Sequence, residues 1–208
     1  MPTVQDISLA GKRVRANQHV CAFFSSKEEE YRVLMPFIKE GFERGDRAFH
    51  VVDPNHRATH MNRLGEAGIP VGDAERRGQL EVRRWQEAYL RDGHFDQQRM
   101  IDLIQEVLRE GKDKGYPLTR LVANMEWALE DRPGVDDIVE YESRLNYVLP
   151  KYDDVVVCTY DLAKFNATVV MDIMRTHPMV VIGGILQANP FFVPPDAMLK
   201  ELKERAAH

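Results

Sequence analysis

Short apolar runs alternate with amphipathic segments along almost the whole chain, and this alternation constrains the fold more than any other feature of the sequence. Most of the runs are apolar at consecutive positions, which is typical of strands covered on both faces. Such strands, separated by helices, predict an α/β fold with a mostly parallel sheet and helices on both of its faces. The predicted strands span residues 19–24, 48–52, 80–85, 118–125, 155–160 and 179–186.

The segments between these strands carry apolar residues at helical spacing. The first predicted helix starts at a serine pair, Ser25 and Ser26, followed by Glu28 and Glu29, which is the pattern of a capping box. This helix contains Pro36, which we expect to kink it. Further helices are predicted at residues 55–67, 95–110, 135–149, 162–175 and 196–205.

Charge and cysteine content narrow the class of protein. The 208 residues include 28 Lys or Arg and 33 Asp or Glu, which leaves a net charge of −5. An acidic chain repels nucleic acid except at a local basic patch, so we expect no direct nucleic-acid partner. Two cysteines are too few for a disulfide scaffold. We therefore expect reduced thiols and a cytoplasmic protein.

The amino-terminal segment is polar and lacks the apolar core of a secretory signal. We predict a flexible leader over residues 1–16 and a single domain over residues 17–208. The longest strongly apolar run, residues 179–186, is far shorter than the roughly 20 residues of a transmembrane helix. We therefore expect no membrane partner.

The turn after the first predicted strand argues against a nucleotide site. Nucleotide-binding α/β proteins place a glycine-rich loop and a lysine here to cradle the phosphates. In this chain the turn, residues 25–30, has no glycine and contains three glutamates, which repel an anion. The GxSxG, HExxH, CxxC and GxGxxG motifs are also missing. We predict a non-enzyme that binds no nucleotide, and its cofactor stays unknown.

Several stretches carry a family resemblance. Residues 36–52 resemble the helix-to-strand passage of RecA/KaiC-like ATPases. Four further stretches are His-x-Cys-x-Phe-Phe at 19–24, Met-Glu-Trp-Ala-Leu at 125–129, residues 141–146 leading to Cys-Thr-Tyr-Asp at 158–161, and His-Pro at 177–178 leading through Gly-Gly to residues 189–194. In this order and spacing they resemble the MEDS domain, a sensory domain named for methanogens, methylotrophs and the dichloromethane regulator DcmR.

The resemblance implies a RecA-like three-layer sandwich that has lost the phosphate-binding loop. It also implies sensing of a small organic molecule, such as a simple hydrocarbon derivative. Domains of this family occur alone or joined to histidine kinases or DNA-binding modules. The predicted elements leave no stretch of this sequence for a kinase segment or a helix-turn-helix. We therefore expect signalling through a partner histidine kinase or transcription regulator. Whether the chain forms a homo-oligomer is left open.

The candidate site follows from the strand ends, because ligands of parallel α/β folds bind beyond the carboxyl ends of the strands. We expect a pocket at this edge that includes Cys21, Glu126, Tyr160 and Asp161, with His19 close by. The aromatic Trp127 suits a cationic ligand. The full set of predicted ligand-binding residues is His19, Cys21, Glu126, Trp127, Cys158, Tyr160, Asp161, His177 and Asn189.

Structural interpretations compete with this one. Asp161 could cap the following helix, and His177 lies at the amino end of its strand, so that only the family resemblance keeps it in the set. His19 and Cys21 face the same way and are possible zinc or copper ligands, but two ligands do not make a metal site. A metal therefore stays unknown.

The sequence thus predicts a non-catalytic sensory domain that binds a small organic molecule. Two rival functions stay open. The first is a protein-interaction module of the same ATPase lineage, with Phe191, Phe192 and the terminal helix as its interface. The second is an enzyme with a thiol or metal centre at His19 and Cys21.

Overall fold

The computed structural model describes residues 7–14 and 18–207, which contain a two-stranded hairpin and a seven-stranded sheet. The hairpin pairs β1 (Ile7–Leu9) with β2 (Lys12–Val14). The large sheet has the order β5-β4-β6-β7-β3-β8-β9, and all of its neighbouring strands are parallel except β8 and β9. Its strands are β3 (Gln18–Phe24), β4 (Arg47–Val52), β5 (Leu80–Arg84), β6 (Thr119–Asn124), β7 (Val155–Asp161), β8 (Met179–Ile182) and β9 (Ile185–Ala188). The predicted α/β class is confirmed.

Helices connect the parallel strands and cover both faces of the sheet. The first of them starts as the capping pattern predicts, because Ser26 Oγ accepts from Glu29 N–H at 3.2 Å and a Glu29 carboxylate oxygen accepts from Ser25 N–H at 2.8 Å. Gly45 ends it in the left-handed conformation, with a φ of 80°. The α-helices of the described residues are α1 (Lys27–Arg44), α2 (Arg57–Glu66), α3 (Val71–Arg76), α4 (Gln97–Asp113), α5 (Ile138–Leu145), α6 (Ala167–Arg175) and α7 (Pro195–Ala206).

The sheet separates two apolar cores, because successive side chains of a strand point to opposite faces. The face that carries Cys21, Cys158 and Tyr160 packs against α4, α5 and α6, and we call it the α5 face. The face that carries Val20 and Val157 packs against α1, α2 and α3, and we call it the α1 face. Any polar group on a central strand is therefore committed to one of two enclosed environments.

The structure corrects three details of the prediction. The predicted leader is not loose over residues 7–14, since Ile7 and Leu9 are fully buried in the hairpin; residues 1–6 and 15–17 lie outside the described residues. The single strand predicted at 179–186 is a hairpin, in which Gly183 and Gly184 turn the chain with φ values of 58° and 72°. This positive φ pair favours glycine and matches a tight two-residue turn.

The helix predicted at 162–175 is the third correction, because it begins only at Ala167. Asn166 caps it, with its side-chain oxygen accepting from Val169 N–H at 3.0 Å. Asp161 instead closes a local turn, in which its carboxylate accepts from Ala163 N–H at 2.9 Å. None of the described helices is both long and apolar enough to span a membrane.

Candidate functional site

A cavity of about 130 Å³ opens on the α1 face, where β4 and β6 end. Its walls come from the first turns of α1, from the segment that includes α2, and from the strand ends. This is the carboxyl edge of the sheet, where ligands of parallel α/β folds bind. The lining residues are Lys27, Glu30, Tyr31, His50, Val51, Val52, Asp53, His56, Thr59, His60, Arg63, Val122 and Asn124.

A hydrogen-bonded row of three aromatic side chains forms one wall of the cavity. Tyr31 Oη lies 3.0 Å from His60 Nδ1, and His60 Nε2 lies 2.9 Å from His50 Nδ1. Burial lowers the pKa of His60 to about 4 and holds the pKa of His50 well below its ordinary value, so both rings are neutral. For either choice of tautomers along the row, its last atom, the buried His50 Nε2, has no hydrogen-bond partner among the described residues.

A second lining group also leaves a polar atom unused. Asn124 donates from its amide nitrogen to Glu126 Oε1 at 3.1 Å, but its oxygen is buried and has no partner in the described part of the chain. Buried polar atoms without partners are uncommon in native proteins and call for a physical explanation. Two residues of the cavity lining, His50 and Asn124, thus each have a buried polar atom without a partner among the described residues.

Ion pairs surround the entrance of the cavity. Lys27 Nζ lies 2.9 Å from carboxylate oxygens of both Glu30 and Glu126, and Lys164 also pairs with Glu126. Burial would raise the pKa of Glu126, but hydrogen bonds from Lys164 and Lys27 outweigh it and lower that pKa to about 2. On the α2 side, Arg63 pairs with Glu28 at 2.6 Å and lies over the Tyr31 ring at 4.6 Å from its centre.

This network occupies the position at which a phosphate loop would grip a nucleotide. The lysine in the turn is paired with two carboxylates, and the turn itself is held by side-chain caps rather than by a glycine-rich loop. The local charge is therefore balanced, which suits a neutral or weakly polar guest better than a triphosphate.

A second group of polar side chains lies on the α5 face, buried within the sheet–helix core. His19 from β3, Glu142 from α5, Cys158 from β7 and His177 from the α6–β8 loop meet there, and we call them the buried tetrad. Glu142 Oε2 lies 3.2 Å from His19 Nε2 and 3.4 Å from His177 Nε2. Cys158 Sγ lies 3.8 Å from His19 Nε2 and 3.7 Å from Glu142 Oε2. No member is more than 3 % exposed.

Neighbouring groups hold the tetrad in place. His19 Nδ1 lies 3.1 Å from Asn146 Oδ1, and the Asn146 amide donates to the Thr176 carbonyl at 2.8 Å. His177 Nδ1 lies 2.9 Å from the Ile173 carbonyl. Tyr160 Oη donates to Glu142 Oε1 at 2.6 Å. Each outward-facing atom of the two rings and the carboxylate is thereby engaged, which directs His19 Nε2, His177 Nε2 and Glu142 Oε2 toward one another.

The tetrad perturbs the protonation of its members. Burial opposes ionisation of Glu142, but the two histidines outweigh it and hold the pKa of this carboxyl below its ordinary value. Burial raises the pKa of the Cys158 thiol to about 12, with a further contribution from the Glu142 charge. Burial and the nearby His177 lower the pKa of His19. Burial opposes protonation of His177, but Cys21 and Glu142 outweigh it and raise the pKa of this ring well above its ordinary value. The cluster is thus an ionised carboxylate enclosed by the protonated His177, the His19 imidazole and a thiol.

The structure brings together five of the predicted ligand-binding residues, but not in the expected place. His19, Cys158, Tyr160 and His177 share the α5 face with Cys21, whose Sγ lies 3.7 Å from the Met179 carbonyl. They lie in the core and do not line the cavity at the carboxyl edge. The sequence analysis pairs His19 with Cys21, but in the structure the thiol next to His19 Nε2 is that of Cys158.

The remaining predicted residues take separate positions. Glu126 does not line the cavity; it is buried and bound to Lys27, which does line it, and to Lys164. Trp127 is fully buried between Tyr89 and Phe95, with ring centres 4.6 and 4.3 Å away, and does not reach the cavity. Asn189 donates to the Met174 and His177 carbonyls at 2.6 and 2.8 Å, so it fastens the loop that carries His177.

Sequence reasoning missed several members of both groups. Glu142 and Asn146 lie within the stretch that carries the family resemblance, and Glu142 sits on the apolar stripe of α5 beside Tyr141 and Leu145. A carboxylate in such a stripe signals a buried partner. His50, in the middle of an otherwise apolar strand, is a comparable signal for the cavity wall.

Comparisons with known proteins agree with this architecture. A KaiC-like protein from the archaeon Pyrococcus horikoshii superposes with a TM-score of 0.58 at 16% identity, over 80% of this chain and 70% of that one. An uncharacterised P. horikoshii protein, solved in complex with an unknown peptide, superposes with a TM-score of 0.62 at 13% identity, over 82% and 78%. These similarities confirm the RecA-like fold.

The sequence relatives add a role. The chain is 25% identical over 170 residues to the transcriptional repressor DcmR of Methylorubrum extorquens, covering 81% of this chain but only 61% of the repressor. The family model described as MEthanogen/methylotroph, DcmR Sensory domain matches residues 18–178. Both findings support a sensory or regulatory role. The match covers most of the chain, and we conclude that it belongs to the MEDS family of sensory domains.

Proposed function

We propose that this MEDS domain is a non-catalytic sensor that binds a small organic molecule in the cavity of the α1 face. The observation that carries the proposal is the cavity itself, whose lining includes His50 and Asn124, two residues that each have a buried polar atom without a partner among the described residues. A crevice filled by side chains would favour the rival function of a pure interaction module. An open crevice with unused hydrogen-bonding atoms is instead what a ligand site requires.

The size of the cavity limits the ligand. Its volume of about 130 Å³ is close to the roughly 150 Å³ of an engineered protein cavity that holds benzene. The ligand therefore has about six non-hydrogen atoms or fewer. Apolar walls from Val52 and Val122 favour a hydrocarbon part, and the polar lining residues His50 and Asn124 favour one or two hydrogen-bonding groups. A simple hydrocarbon derivative, neutral or cationic, meets both requirements.

Signalling follows from the position of the cavity between two helices. Tyr31 of α1 and His60 of α2 are hydrogen-bonded in its wall, and Arg63 of α2 reaches Glu28 of α1. A guest that favours one spacing of α1 and α2 shifts the population toward that spacing. The guest must bind the two spacings with different affinities, because otherwise no signal results.

The component that receives the signal is a partner protein or an attached module. The relative DcmR is named a transcriptional repressor, and this chain spans about three fifths of its length. By analogy, the output of this domain goes to a transcription regulator or a histidine kinase. No nucleotide takes part in this account, since Lys27 is paired with two glutamates and the first turn lacks a glycine-rich loop.

The experiment blocks the mouth of the cavity without disturbing the core. Thr59 lines the cavity but is exposed, so Thr59→Trp fills the entrance and leaves the sheet intact. Ala58→Trp is the matched control, because Ala58 is exposed on the same helix and does not line the cavity. Benzene, dichloromethane and methylamine serve as apolar, halogenated and cationic probes, and Mg²⁺–ATP tests the exclusion of nucleotides.

Isothermal titration then measures binding to each protein. We expect at least one small probe to bind the natural chain, at least tenfold weaker binding to Thr59→Trp, and unchanged binding to Ala58→Trp. Mg²⁺–ATP should give no heat of binding. The proposal fails when no small probe binds the natural chain, or when Thr59→Trp binds as tightly as Ala58→Trp.

A further inference from the structure

We propose that the buried tetrad is a closed zinc site, with His19 Nε2, Glu142 Oε2, Cys158 Sγ and His177 Nε2 as its four ligand atoms. The site lies on the opposite face of the sheet from the cavity, and the inference does not depend on the proposed sensory function.

The spacing of the four atoms is the first argument. Zinc binds nitrogen and oxygen at about 2.0–2.2 Å and sulfur at about 2.3 Å in a tetrahedron, which places the ligand atoms about 3.3–3.6 Å from one another. The distances from Glu142 Oε2 to the two imidazole nitrogens are 3.2 and 3.4 Å. The distances from Cys158 Sγ to His19 Nε2 and Glu142 Oε2 are 3.8 and 3.7 Å. Four of the six distances between ligand atoms therefore lie within a few tenths of an ångström of the zinc geometry, and the other two are no longer than 4.8 Å.

The direction of the lone pairs is the second argument. The Asn146 amide donates to three carbonyls, of Glu142, Ser143 and Thr176, which leaves its oxygen to accept from His19 Nδ1. Nδ1 of His19 thus carries the proton, and Nε2 presents a lone pair to the tetrad. His177 has the same arrangement, because its Nδ1 donates to the Ile173 carbonyl.

The Glu142 carboxylate oxygen and the two ring nitrogens face one another, and this arrangement needs a positive charge among them, either a proton on His177 or a metal ion. His177 Nε2 is fully buried and has no hydrogen-bond partner among the described residues. One added proton would satisfy a single contact of this group, whereas a divalent cation satisfies all four ligand atoms together. Zn²⁺ with one carboxylate and one thiolate is also electrically neutral, which lowers the cost of burying the charges.

The surroundings match those of known metal centres. Metal-binding histidines donate their second ring nitrogen to a carbonyl or carboxylate, which fixes the tautomer and the ring orientation. His19 and His177 do so through Asn146 and Ile173. Imidazole and thiolate ligands select zinc or copper over magnesium and calcium. Four protein ligands, all buried, leave no open position, so the site is structural and not catalytic.

A closed zinc site here would fasten separate parts of the fold. The ligands come from β3, β7, α5 and the loop before β8, so one ion joins two central strands to a helix and a loop of the α5 face. The His50–His60 pair on the other face is not an equivalent, because its two facing nitrogens are hydrogen-bonded to each other at 2.9 Å.

The experiment measures the zinc content and the cobalt spectrum of the full chain. Protein that is produced with Zn²⁺ in the medium and then dialysed should contain about one zinc ion per chain, measured by elemental mass spectrometry. Protein loaded with Co²⁺ instead should show the visible bands of tetrahedral cobalt and the near-ultraviolet band of a cobalt–thiolate bond. Cys158→Ser should lose the thiolate band, whereas the matched control Cys21→Ser should keep it.

A milder variant keeps the test decisive if Cys158→Ser does not fold. Asn146→Ala removes the support of His19 without removing a ligand, and we expect zinc affinity to fall about 10- to 100-fold. The zinc proposal is overturned when the natural chain takes up neither Zn²⁺ nor Co²⁺, or when Cys158→Ser keeps the thiolate band. Neither result bears on the binding of small probes in the cavity. A failure of the zinc proposal is therefore distinguishable from a failure of the proposed sensory function.

Discussion

The two faces of the sheet treat buried polar groups in opposite ways. On the α5 face, His19, Glu142, Cys158 and His177 turn toward one another and are sealed from solvent. On the α1 face, the row that runs from Tyr31 through His60 to His50 ends in an unpartnered atom beside an open cavity. Both faces contain buried polar atoms without a partner among the described residues, so the difference lies in access: the group on the α5 face is closed to solvent, whereas the row on the α1 face borders a cavity that a guest can enter.

The division explains how a RecA-like fold serves as a sensor. At the carboxyl edge, the turn after β3 contains no glycine, and a balanced set of ion pairs surrounds Lys27 and Glu126. Under the proposed function, the α5 face holds the helices and strands in place and the carboxyl edge responds to the ligand. We therefore expect substitutions on the α5 face to change stability and substitutions around the cavity to change binding.

The largest expected effect separates two buried carboxylates, Glu142 with buried partners and Glu126 with partially exposed lysine partners. Glu142→Ala leaves two buried histidines and the Tyr160 hydroxyl without their partner, and breaking a buried charged group costs about 3–5 kcal/mol. Glu126→Ala removes a carboxylate whose lysine partners reach water, and we expect a loss of about 1–2 kcal/mol. Urea unfolding at pH 7 measures both, and equal losses would erase the contrast between the two regions.

A smaller effect concerns how the free energy of unfolding depends on pH through His60, in the cavity wall. Burial lowers the pKa of His60 to about 4, whereas in the unfolded chain it is 6.5. The unfolded chain therefore takes up the proton first, and the free energy of unfolding falls as the pH drops from about 6.5 toward 4.

The variant His60→Gln lacks this proton uptake. We expect the natural chain to lose about 1–2 kcal/mol more than His60→Gln between pH 7 and pH 5, and the two to have parallel profiles above pH 7. Urea unfolding across this range measures the difference. Parallel profiles down to pH 5 would show that His60 is not held neutral by burial.

The smallest expected effect on stability lies at the mouth of the cavity. Arg63 pairs with the exposed Glu28 and covers the Tyr31 ring. Exposed ion pairs contribute little, so Arg63→Ala should leave the melting temperature almost unchanged. It should instead speed the association of a small probe several-fold by widening the entrance. Stopped-flow measurement of probe binding checks this, and a large loss of stability with no change in rate would contradict it.

The fold was largely readable from the sequence because its signals are local. Continuous apolar runs, the Ser26–Glu29 cap and the glycine that ends α1 each act within a few residues. The β8–β9 hairpin was missed because its two short strands join into a single apolar run, in which only Gly183 and Gly184 mark the turn. The delayed start of α6 depends on Asn166, a weak signal within an apolar segment.

The site was only partly readable, because it depends on contacts between distant residues. The alternation of strand residues correctly placed His19 and Cys21 on one face, but which cysteine reaches His19 depends on the register of β3 against β7, where Cys21 pairs with Cys158. The cavity depends on how α2 packs against α1, and no motif in the sequence specifies that packing.

The most direct test of the central claim is to locate a bound probe on one face of the sheet or the other. Methyl NMR of the natural chain, titrated with the probe that binds most tightly, reports on both faces at once. The account predicts shifts at Val52 and Val122, which line the cavity, and none at Val156 and Ile173 of the α5 face. Shifts at Val156 and Ile173 alone would place the ligand in the opposite core and contradict the assignment of the sensory site.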